Sequence, residues 1–224
     1  MLLETLRREI CAANRGMLHH PSMIAPGSVS GINRELGFIA ITPGAIPRTE
    51  LEPAQIVVLD LGGRVVEGSL PPSSDAATHL VLYSVFKEIG GVTHMHSRYA
   101  TMFAQAGRPI PCLGTTHAAL FHGEIPVTRP LRKPEIEGHY AHNTGLVILE
   151  RFSRLNASEI PAVLVVHHGS FTWGASAGEA VANGLALEEV ASLAFGTLQL
   201  NPSQTSIPSI LHDRHFTDSK DIRT

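Results

Sequence analysis

Two histidines with the spacing of neighbouring metal ligands stand out in the sequence. His94 and His96 lie within Val92-Thr93-His94-Met95-His96, a short segment that predicts a strand. Side chains two residues apart on a strand point to the same face, so both imidazoles can reach one point. An isolated pair of this kind is more often one packed and one solvated histidine. Further ligands are therefore needed before the pair indicates a metal site.

Two more positions could supply those ligands. His167-His168-Gly169 follows the apolar run 161–166, which predicts a buried strand, and neighbouring strand residues point to opposite faces. At most one of these two histidines is therefore expected to face a given site. Asp75 falls in the first turn of a predicted helix and could direct a carboxylate at a nearby cation. Three imidazoles and one carboxylate would suit zinc or a manganese-type ion, although spacing alone leaves their convergence open.

The start of the helix that contains Asp75 allows two interpretations. Ser73 and Ser74 can cap the helix, and Asp75 can complement its dipole, which is the common role of Ser-Ser-Asp. The same hydroxyls, together with the free N–H groups of a helix start, can instead bind a phosphate. The residues alone leave both interpretations open.

Composition narrows the class of protein. The chain has 224 residues, 43% hydrophobic, and a formal net charge of −3, which gives no basic surface for nucleic acid. No apolar run reaches the length of a membrane span, and the amphipathic start does not resemble a signal peptide. Cys11 and Cys112 are the only cysteines, so no disulfide framework is expected. We expect one domain over residues 1–224, located in the cytoplasm.

Helical and strand patterns alternate along the chain. Helices are predicted at 2–18, about 73–89, 97–107, about 134–155 and 176–199, with breaks allowed at Gly138 and Thr144-Gly145. Strands are predicted at 28–30, 37–41, 56–61, 64–67, 92–96 and 161–166, and the stretches 19–35 and 108–134 read mostly as loop. Interleaved elements predict a layered α/β or α+β domain. The hairpin signal at Gly62-Gly63 argues against a purely parallel sheet.

A series of motifs in order from Leu2 to about His215 resembles the class II aldolase/adducin family. The likeness is closest to its L-ribulose-5-phosphate 4-epimerase and L-fuculose-phosphate aldolase branches. The motifs are Val66-Glu67-Gly68, Pro72-Ser73-Ser74-Asp75, Thr78-His79, Ile89-Gly90-Gly91, His94-Met95-His96-Ser97-Arg98, Ala104-Gln105-Ala106-Gly107, Gly114-Thr115-Thr116-His117-Ala118, Ile125-Pro126-Val127-Thr128-Arg129, His168-Gly169 and Trp173-Gly174.

The resemblance implies a fold, an assembly and a set of site residues. It implies a mostly antiparallel central sheet flanked by helices, and a homotetramer with active sites between subunits. The implied divalent-metal ligands, usually of zinc with manganese or cobalt as alternatives, are Asp75, His94, His96 and His168. The implied phosphate-binding positions are Ser28, Gly44, Ser73 and Ser74, of which Gly44 would act through its backbone N–H. The implied catalytic residues are Asp75 and His215, the latter contributed by a neighbouring subunit.

The implied chemistry is aldol cleavage of a ketose phosphate through a metal-chelated enediolate, followed in an epimerase by rotation of the aldehyde and re-addition. Two positions depart from the epimerase pattern: Ala119 replaces an Asp, and the tail lacks the expected Tyr. His117 or His122 could replace a lost proton donor, although each fits a structural or surface role better. We therefore favour an aldolase-type lyase, with the epimerase as the alternative. A non-catalytic, adducin-like assembly domain is a remoter one, and metal-dependent hydrolysis ranks last because no helix motif such as HExxH is present.

Overall fold

One seven-stranded sheet forms the centre of the computed structural model, which describes residues 1–44 and 48–223. The strands are β1 (Met23–Asn33), β2 (Phe38–Ile41), β3 (Val57–Asp60), β4 (Val65–Glu67), β5 (Gly91–Ser97), β6 (Ala162–Leu164) and β7 (Ser170–Gly174). Their order is β4-β3-β2-β1-β5-β7-β6, and every neighbouring pair is antiparallel. Strand β5, which carries His94 and His96, therefore lies inside the sheet between β1 and β7.

Helices cover the sheet. They are α1 (Glu4–Leu18), α2 (Ala76–Val85), α3 (Arg98–Gln105), α4 (Thr115–Ala118), α5 (Lys133–Glu137), α6 (Tyr140–Arg151), α7 (Ala177–Leu200) and α8 (Ser209–Arg223). Helix α7 packs on β5 and β7, α1 packs on β1 and α7, and α2 packs against α6. None of the helices among residues 1–44 and 48–223 is both long and apolar enough to cross a bilayer.

The hydrophobic core is divided between the two faces of the sheet. Ile39 and Ile41 of β2 belong to the cluster that includes residues of α2 and α3, whereas Ala40 between them belongs to the cluster under α1. This alternation follows from the two-residue period of a strand. An antiparallel sheet with helices on both faces confirms the predicted layered α/β architecture.

Most predicted elements are present, but the stretch 19–35 is not a loop. It contains β1, the longest strand, which pairs with β2 and β5. Its glycines and serines resemble a loop composition, yet Gly27 is required by packing, since a Cβ there would lie 1.7 Å from the His94 carbonyl oxygen. The glycine lets β1 approach β5, and the register shifts between Ala25 and Ser28.

Other elements were also not predicted, and one helix is interrupted. Strand β7 follows His168-Gly169 directly, the short helix α4 lies within the stretch 108–134 that was read mostly as loop, and α8 occupies the C-terminal segment. The helix predicted over 134–155 consists of α5 and α6, separated at Gly138, whose backbone lies outside the helical region (φ −92°, ψ −130°).

Candidate metal centre

His94 and His96 face each other on β5, as the strand spacing predicts. Their Nε2 atoms are 2.9 Å apart. His94 is buried and its ring stacks on Phe171 of β7, with ring centroids 4.4 Å apart and planes inclined by 19°. His96 is half-buried. One imidazole is therefore fixed by the core, and the other reaches toward the edge of the site.

His168 joins this pair from a tight turn between β6 and β7 rather than from the end of a strand. His167 before it adopts a left-handed backbone (φ +63°) and is exposed. Gly169 after it packs closely, because a Cβ there would lie 2.7 Å from the Met95 carbonyl oxygen and 3.2 Å from the His94 ring. One ligand atom from each of His94, His96 and His168 lies within 4.8 Å of the other two.

The hydrogen bond of His94 to the backbone leaves the lone pair on Nε2, the nitrogen that faces His96. Nδ1 of His94 is 2.8 Å from the Ser170 carbonyl oxygen, which can only accept, so Nδ1 carries the hydrogen and Nε2 carries the lone pair. Burial lowers the pKa of His94 to about 3, despite the opposing charge of Asp75. Burial also lowers the pKa of His96 and of His168. Three neutral imidazoles that converge in this way fit a divalent cation.

Asp75 lies beside the three imidazoles and is held by hydroxyl groups. Asp75 itself, and neither Ser73 nor Ser74, is the N-cap residue of α2, which corrects the capping interpretation, and its side chain makes no capping bond. Its Oδ2 instead accepts hydrogen bonds from Ser28 Oγ at 3.1 Å and Ser73 Oγ at 3.3 Å. Burial alone would raise the pKa of Asp75, but His94, His79, the Ser28 hydroxyl and His168 together lower it. The carboxylate is not within 4.8 Å of all three imidazole ligand atoms.

A buried polar network that the sequence did not reveal supports Asp75. Ser28 Oγ is 3.0 Å from His79 Nε2, and Ser30 Oγ is 2.7 Å from His79 Nδ1 and 2.9 Å from the Tyr83 hydroxyl. Strand β1 supplies Ser28 and Ser30, far from Asp75 in the sequence, and Tyr83 lies further along α2. No local sequence pattern therefore joins these residues to Asp75. Ser28 and Asp75 were predicted site residues and His79 belongs to a motif of the resemblance, whereas no sequence signal pointed to Ser30 or Tyr83.

The four predicted phosphate-binding residues have different environments. Ser28 is fully buried, and its hydroxyl contacts Asp75 and His79 rather than open space. Gly44 does not offer a free N–H, because its amide donates to the Pro71 carbonyl oxygen at 3.1 Å, which corrects that expectation. Ser73 is buried against Asp75, whereas Ser74 is exposed. Ser74 lines a cleft of about 560 Å³ together with Gly62, Ala77, Ser84 and His142.

The two histidines considered as replacement proton donors have structural contacts. His117 on α4 is buried, and its Nε2 lies 2.8 Å from the Gly123 carbonyl oxygen. His122 lies near Glu159 and Asp213. His215 is half-buried on α8, a helix that packs against α4.

Tyr140, which sequence reasoning had not singled out, lies at the mouth of the site. Its hydroxyl is 3.4 Å from His168 Nδ1, and 42% of the residue is exposed. Burial of the phenol raises its pKa, so the hydroxyl stays protonated at neutral pH. A proton donor is thus present beside the imidazoles without any contribution from the tail.

Comparison with known proteins agrees with this architecture. Residues 8–195 match the profile of the family described as Class II Aldolase and Adducin N-terminal domain. An L-fuculose 1-phosphate aldolase superposes with a TM-score of 0.82 at 24% identity, covering 98% of this chain and 98% of that chain. The L-fuculose 1-phosphate aldolase from Glaciozyma antarctica gives 0.77 at 16% identity (96% of this chain, 81% of that chain). The L-fuculose-1-phosphate aldolase from Thermus thermophilus gives 0.67 at 19% (90% and 98%). These likenesses establish the fold, and the profile match places this chain in the class II aldolase and adducin N-terminal domain family.

Proposed function

We propose that this protein is a divalent-metal-dependent aldolase that cleaves a carbon–carbon bond in a ketose phosphate. The observation that carries the proposal is the convergence of His94, His96 and His168, with the ligand nitrogen of His94 directed away from its carbonyl partner. Asp75 would complete the ligand set from the start of α2. Zinc is the proposed ion, since three imidazoles and one carboxylate suit it, and manganese and cobalt are the alternatives.

The protein's own residues would position the substrate and move protons. A bound divalent cation supplies Lewis acidity that polarises the ketose carbonyl and the adjacent hydroxyl oxygen. Asp75 is ionised at neutral pH, because its neighbours lower its pKa, and a carboxylate in that state can accept a hydroxyl proton. Loss of that proton lets the oxygen form the aldehyde carbonyl as the carbon–carbon bond breaks.

A second group must return a proton to the carbon of the ketone fragment. Tyr140 is protonated and lies beside His168, so it is the proposed donor within this chain. His215 is the donor that a neighbouring subunit would contribute in the family assembly. Ala119, at the position of the epimerase Asp, has no side chain that can transfer a proton. The chain thus offers proton donors for cleavage but lacks the acidic side chain of the epimerase, which favours cleavage over epimerisation.

The substrate phosphate is proposed to bind near the start of α2. Ser74 is exposed there on the wall of the 560 Å³ cleft, and Ser73 holds the preceding turn by bonding to Asp75. Hydroxyl groups and helix-start N–H groups bind phosphate without requiring a basic side chain. Ser28 would act indirectly, by fixing the Asp75 carboxylate.

The active form is proposed to be a cytoplasmic homotetramer with sites between subunits. Large apolar side chains are exposed on the single chain, including Leu193 (54%), Leu200 (90%) and Ile210 (82%). Exposure of this kind on α7 and α8 is consistent with burial against another subunit. The assembly would bring His215 of one subunit toward the centre of another.

Product analysis with two substrates tests the proposal. Zinc-loaded protein is incubated with L-fuculose 1-phosphate and separately with L-ribulose 5-phosphate, and free aldehyde is measured. We expect release of an aldehyde fragment in equal amount to the ketose phosphate consumed. Formation of D-xylulose 5-phosphate without net aldehyde would establish the epimerase instead. Protein that binds no divalent ion and turns over neither substrate after metal addition would favour the assembly domain.

A further inference from the structure

A second cluster of metal-ligating side chains lies at the junction of α8 and the turn after α4. His122 belongs to this turn, and His212 and Asp213 are consecutive on α8. Oδ1 of Asp213 is 3.3 Å from His122 Nε2 and 3.1 Å from His212 Nδ1. The ligand atoms of all three residues lie within 4.8 Å of one another.

These distances match the separation of ligands around one small cation. Nitrogen and oxygen ligands at about 2.0–2.1 Å from a tetrahedral zinc ion lie roughly 3.3 Å apart. The carboxylate is 63% exposed and His122 is 39% exposed, whereas His212 is only 9% exposed. An ion therefore has a path from solvent, and at least one coordination position remains open to water.

In each histidine, the ring nitrogen that would not bind the ion has an acceptor nearby, as is usual for metal-bound imidazoles. With Nε2 of His122 as the ligand, its Nδ1–H faces Glu159 Oε2 at 3.4 Å. With Nδ1 of His212 as the ligand, its Nε2–H faces the Phe121 carbonyl oxygen at 3.3 Å. A carboxylate or backbone carbonyl on the far nitrogen fixes the tautomer and orients the ring.

Binding of an ion at Nδ1 of His212 requires a tautomer change that exchanges the hydrogen bonds of its Nε2. In the absence of an ion, Nε2 of His212 can accept from the Gly123 N–H at 2.9 Å, with Nδ1–H donating to Asp213. When Nδ1 becomes a ligand, Nε2 carries the hydrogen and that bond is lost. The bond from His212 Nδ1–H to Asp213 is replaced by the bonds to the ion. The Gly123 N–H keeps the Phe121 carbonyl oxygen at 3.1 Å, which also accepts from Nε2–H, and the two N–H groups must move slightly apart.

We propose that His122, His212 and Asp213 form a second divalent-cation site, separate from the centre on β5, which takes zinc or a similar transition metal. Its role is structural: the ion joins α8 to the turn after α4, where Phe216 already packs on the His122 ring with centroids 4.6 Å apart. Fixing α8 also fixes the segment that bears His215.

Zinc titration of the chelator-stripped full chain, followed by calorimetry, counts the sites. We expect the wild type to bind two zinc ions per chain, and His96→Ala and His122→Gln each to bind one. The double variant should bind none. Asp213→Asn should lose the same ion as His122→Gln. Glu159→Gln should weaken the binding of that ion by about 10–100-fold, while the affinity of the β5 centre for zinc is unchanged.

Hydrogen exchange of α8 provides a readout that does not depend on catalysis. Zinc should slow amide exchange in residues 209–223 of the wild type and of His96→Ala, but not of Asp213→Asn. Asp218→Asn is the matched control, since Asp218 is an exposed acid on the same helix that pairs with Arg214. It should retain two ions and the slowed exchange.

A single zinc ion in the wild type, absent from His96→Ala, would overturn the second site while leaving the first intact. The second site is equally excluded if Asp213→Asn and His122→Gln keep two ions. Far-UV circular dichroism checks that α8 remains folded in these variants, so loss of the ion is not confused with loss of the helix.

Discussion

His96 is the ligand whose removal separates metal binding from folding. It is half-buried, whereas His94 is held by Phe171 and Ser170 in the core. We expect His96→Ala to weaken zinc binding at this centre by more than about 100-fold, because even outer-sphere changes cost about 10–100-fold. The free energy of unfolding of the metal-free protein should change by about 1 kcal/mol or less. Metal analysis and urea denaturation measure the two effects.

His139→Ala serves as the control for that variant. His139 is exposed and lies outside the group of imidazoles that could hold an ion. Its replacement should leave metal content and activity unchanged. Full metal stoichiometry at the β5 centre in His96→Ala would refute the assignment of His96 as a ligand.

Asp75 is expected to matter for turnover rather than for stability. Because its carboxylate accepts from Ser28 and Ser73 and does not cap α2, Asp75→Asn should leave the helix intact. An amide cannot take a proton, so kcat should fall by about 10²–10⁴-fold. Steady-state kinetics at saturating zinc measure this. Asp75→Glu keeps a carboxylate that can accept a proton, so it should recover part of the activity. Unchanged kinetics in Asp75→Asn would leave no proton-transfer role.

Tyr140→Phe removes only the hydroxyl that faces His168. If this hydroxyl returns the proton to the ketone fragment, kcat should fall by about 100-fold while zinc affinity and KM change little. Tyr99→Phe is the matched control, because the Tyr99 ring packs on Phe195 and its hydroxyl has no proposed role. Equal loss in both variants, or weaker zinc binding in Tyr140→Phe, would contradict proton donation by Tyr140.

Individual residues of the β5 centre were partly predictable from sequence. The spacing of His94 and His96 predicted a shared face, and the structure confirms it. His168 is brought to them, but by a tight turn that depends on Gly169 rather than by strand alternation. Tyr140 lies on α6, 28 residues before His168, and no local sequence pattern predicts a contact between residues so far apart.

At the scale of elements, helix α7 caps the start of α3, the helix that directly follows strand β5 with His94 and His96. Glu188 on α7 is buried, and its carboxylate accepts hydrogen bonds from the backbone N–H groups of Tyr99 and Ala100 at 3.0–3.1 Å. Ser97, the N-cap of α3, makes no side-chain cap bond. A distant side chain thus replaces the usual local cap.

Glu188→Ala should therefore lower the free energy of unfolding, although no local sequence pattern marks Glu188 as a helix cap. Two N–H groups at the start of α3 lose their acceptor, and each unsatisfied buried donor costs about 1–3 kcal/mol. We expect the free energy of unfolding to fall by about 3 kcal/mol in urea denaturation. Glu189→Ala is the control, since Glu189 is 63% exposed and pairs only with His20 among the ion pairs described. An equal effect of the two substitutions would contradict the capping role.

Elements with regular apolar patterns were predicted more reliably than elements defined by distant contacts. Helix α7 and strand β5 are found within one or two residues of their predicted bounds. Strand β1 was predicted only over residues 28–30, because its glycines serve close packing against β5, a requirement that lies in another strand. Helix α8 has a mostly polar sequence, and its packing against α4 could not be inferred locally.

At the scale of the whole molecule, buried neutral histidines make the free energy of unfolding depend on pH. Burial lowers the pKa of His117 to about 4 and that of His94 to about 3, from an ordinary value of 6.5. A histidine whose pKa is lower in the folded state stabilises the fold fully above pH 6.5. That contribution decreases as the pH falls toward the folded-state pKa, because the unfolded chain binds the proton first.

His117 makes this dependence measurable away from the metal ligands. A pKa of about 4 predicts that its contribution to the free energy of unfolding drops by about 2 kcal/mol between pH 7 and pH 5. His117→Gln removes the titrating group, while the longer amide can still donate to the Gly123 carbonyl oxygen. Urea denaturation of the metal-free proteins at the two pH values should therefore give a smaller decrease for His117→Gln than for the wild type. His139→Gln, at an exposed site, should follow the wild type, and parallel pH dependence of all three proteins would exclude His117 as a source of acid sensitivity.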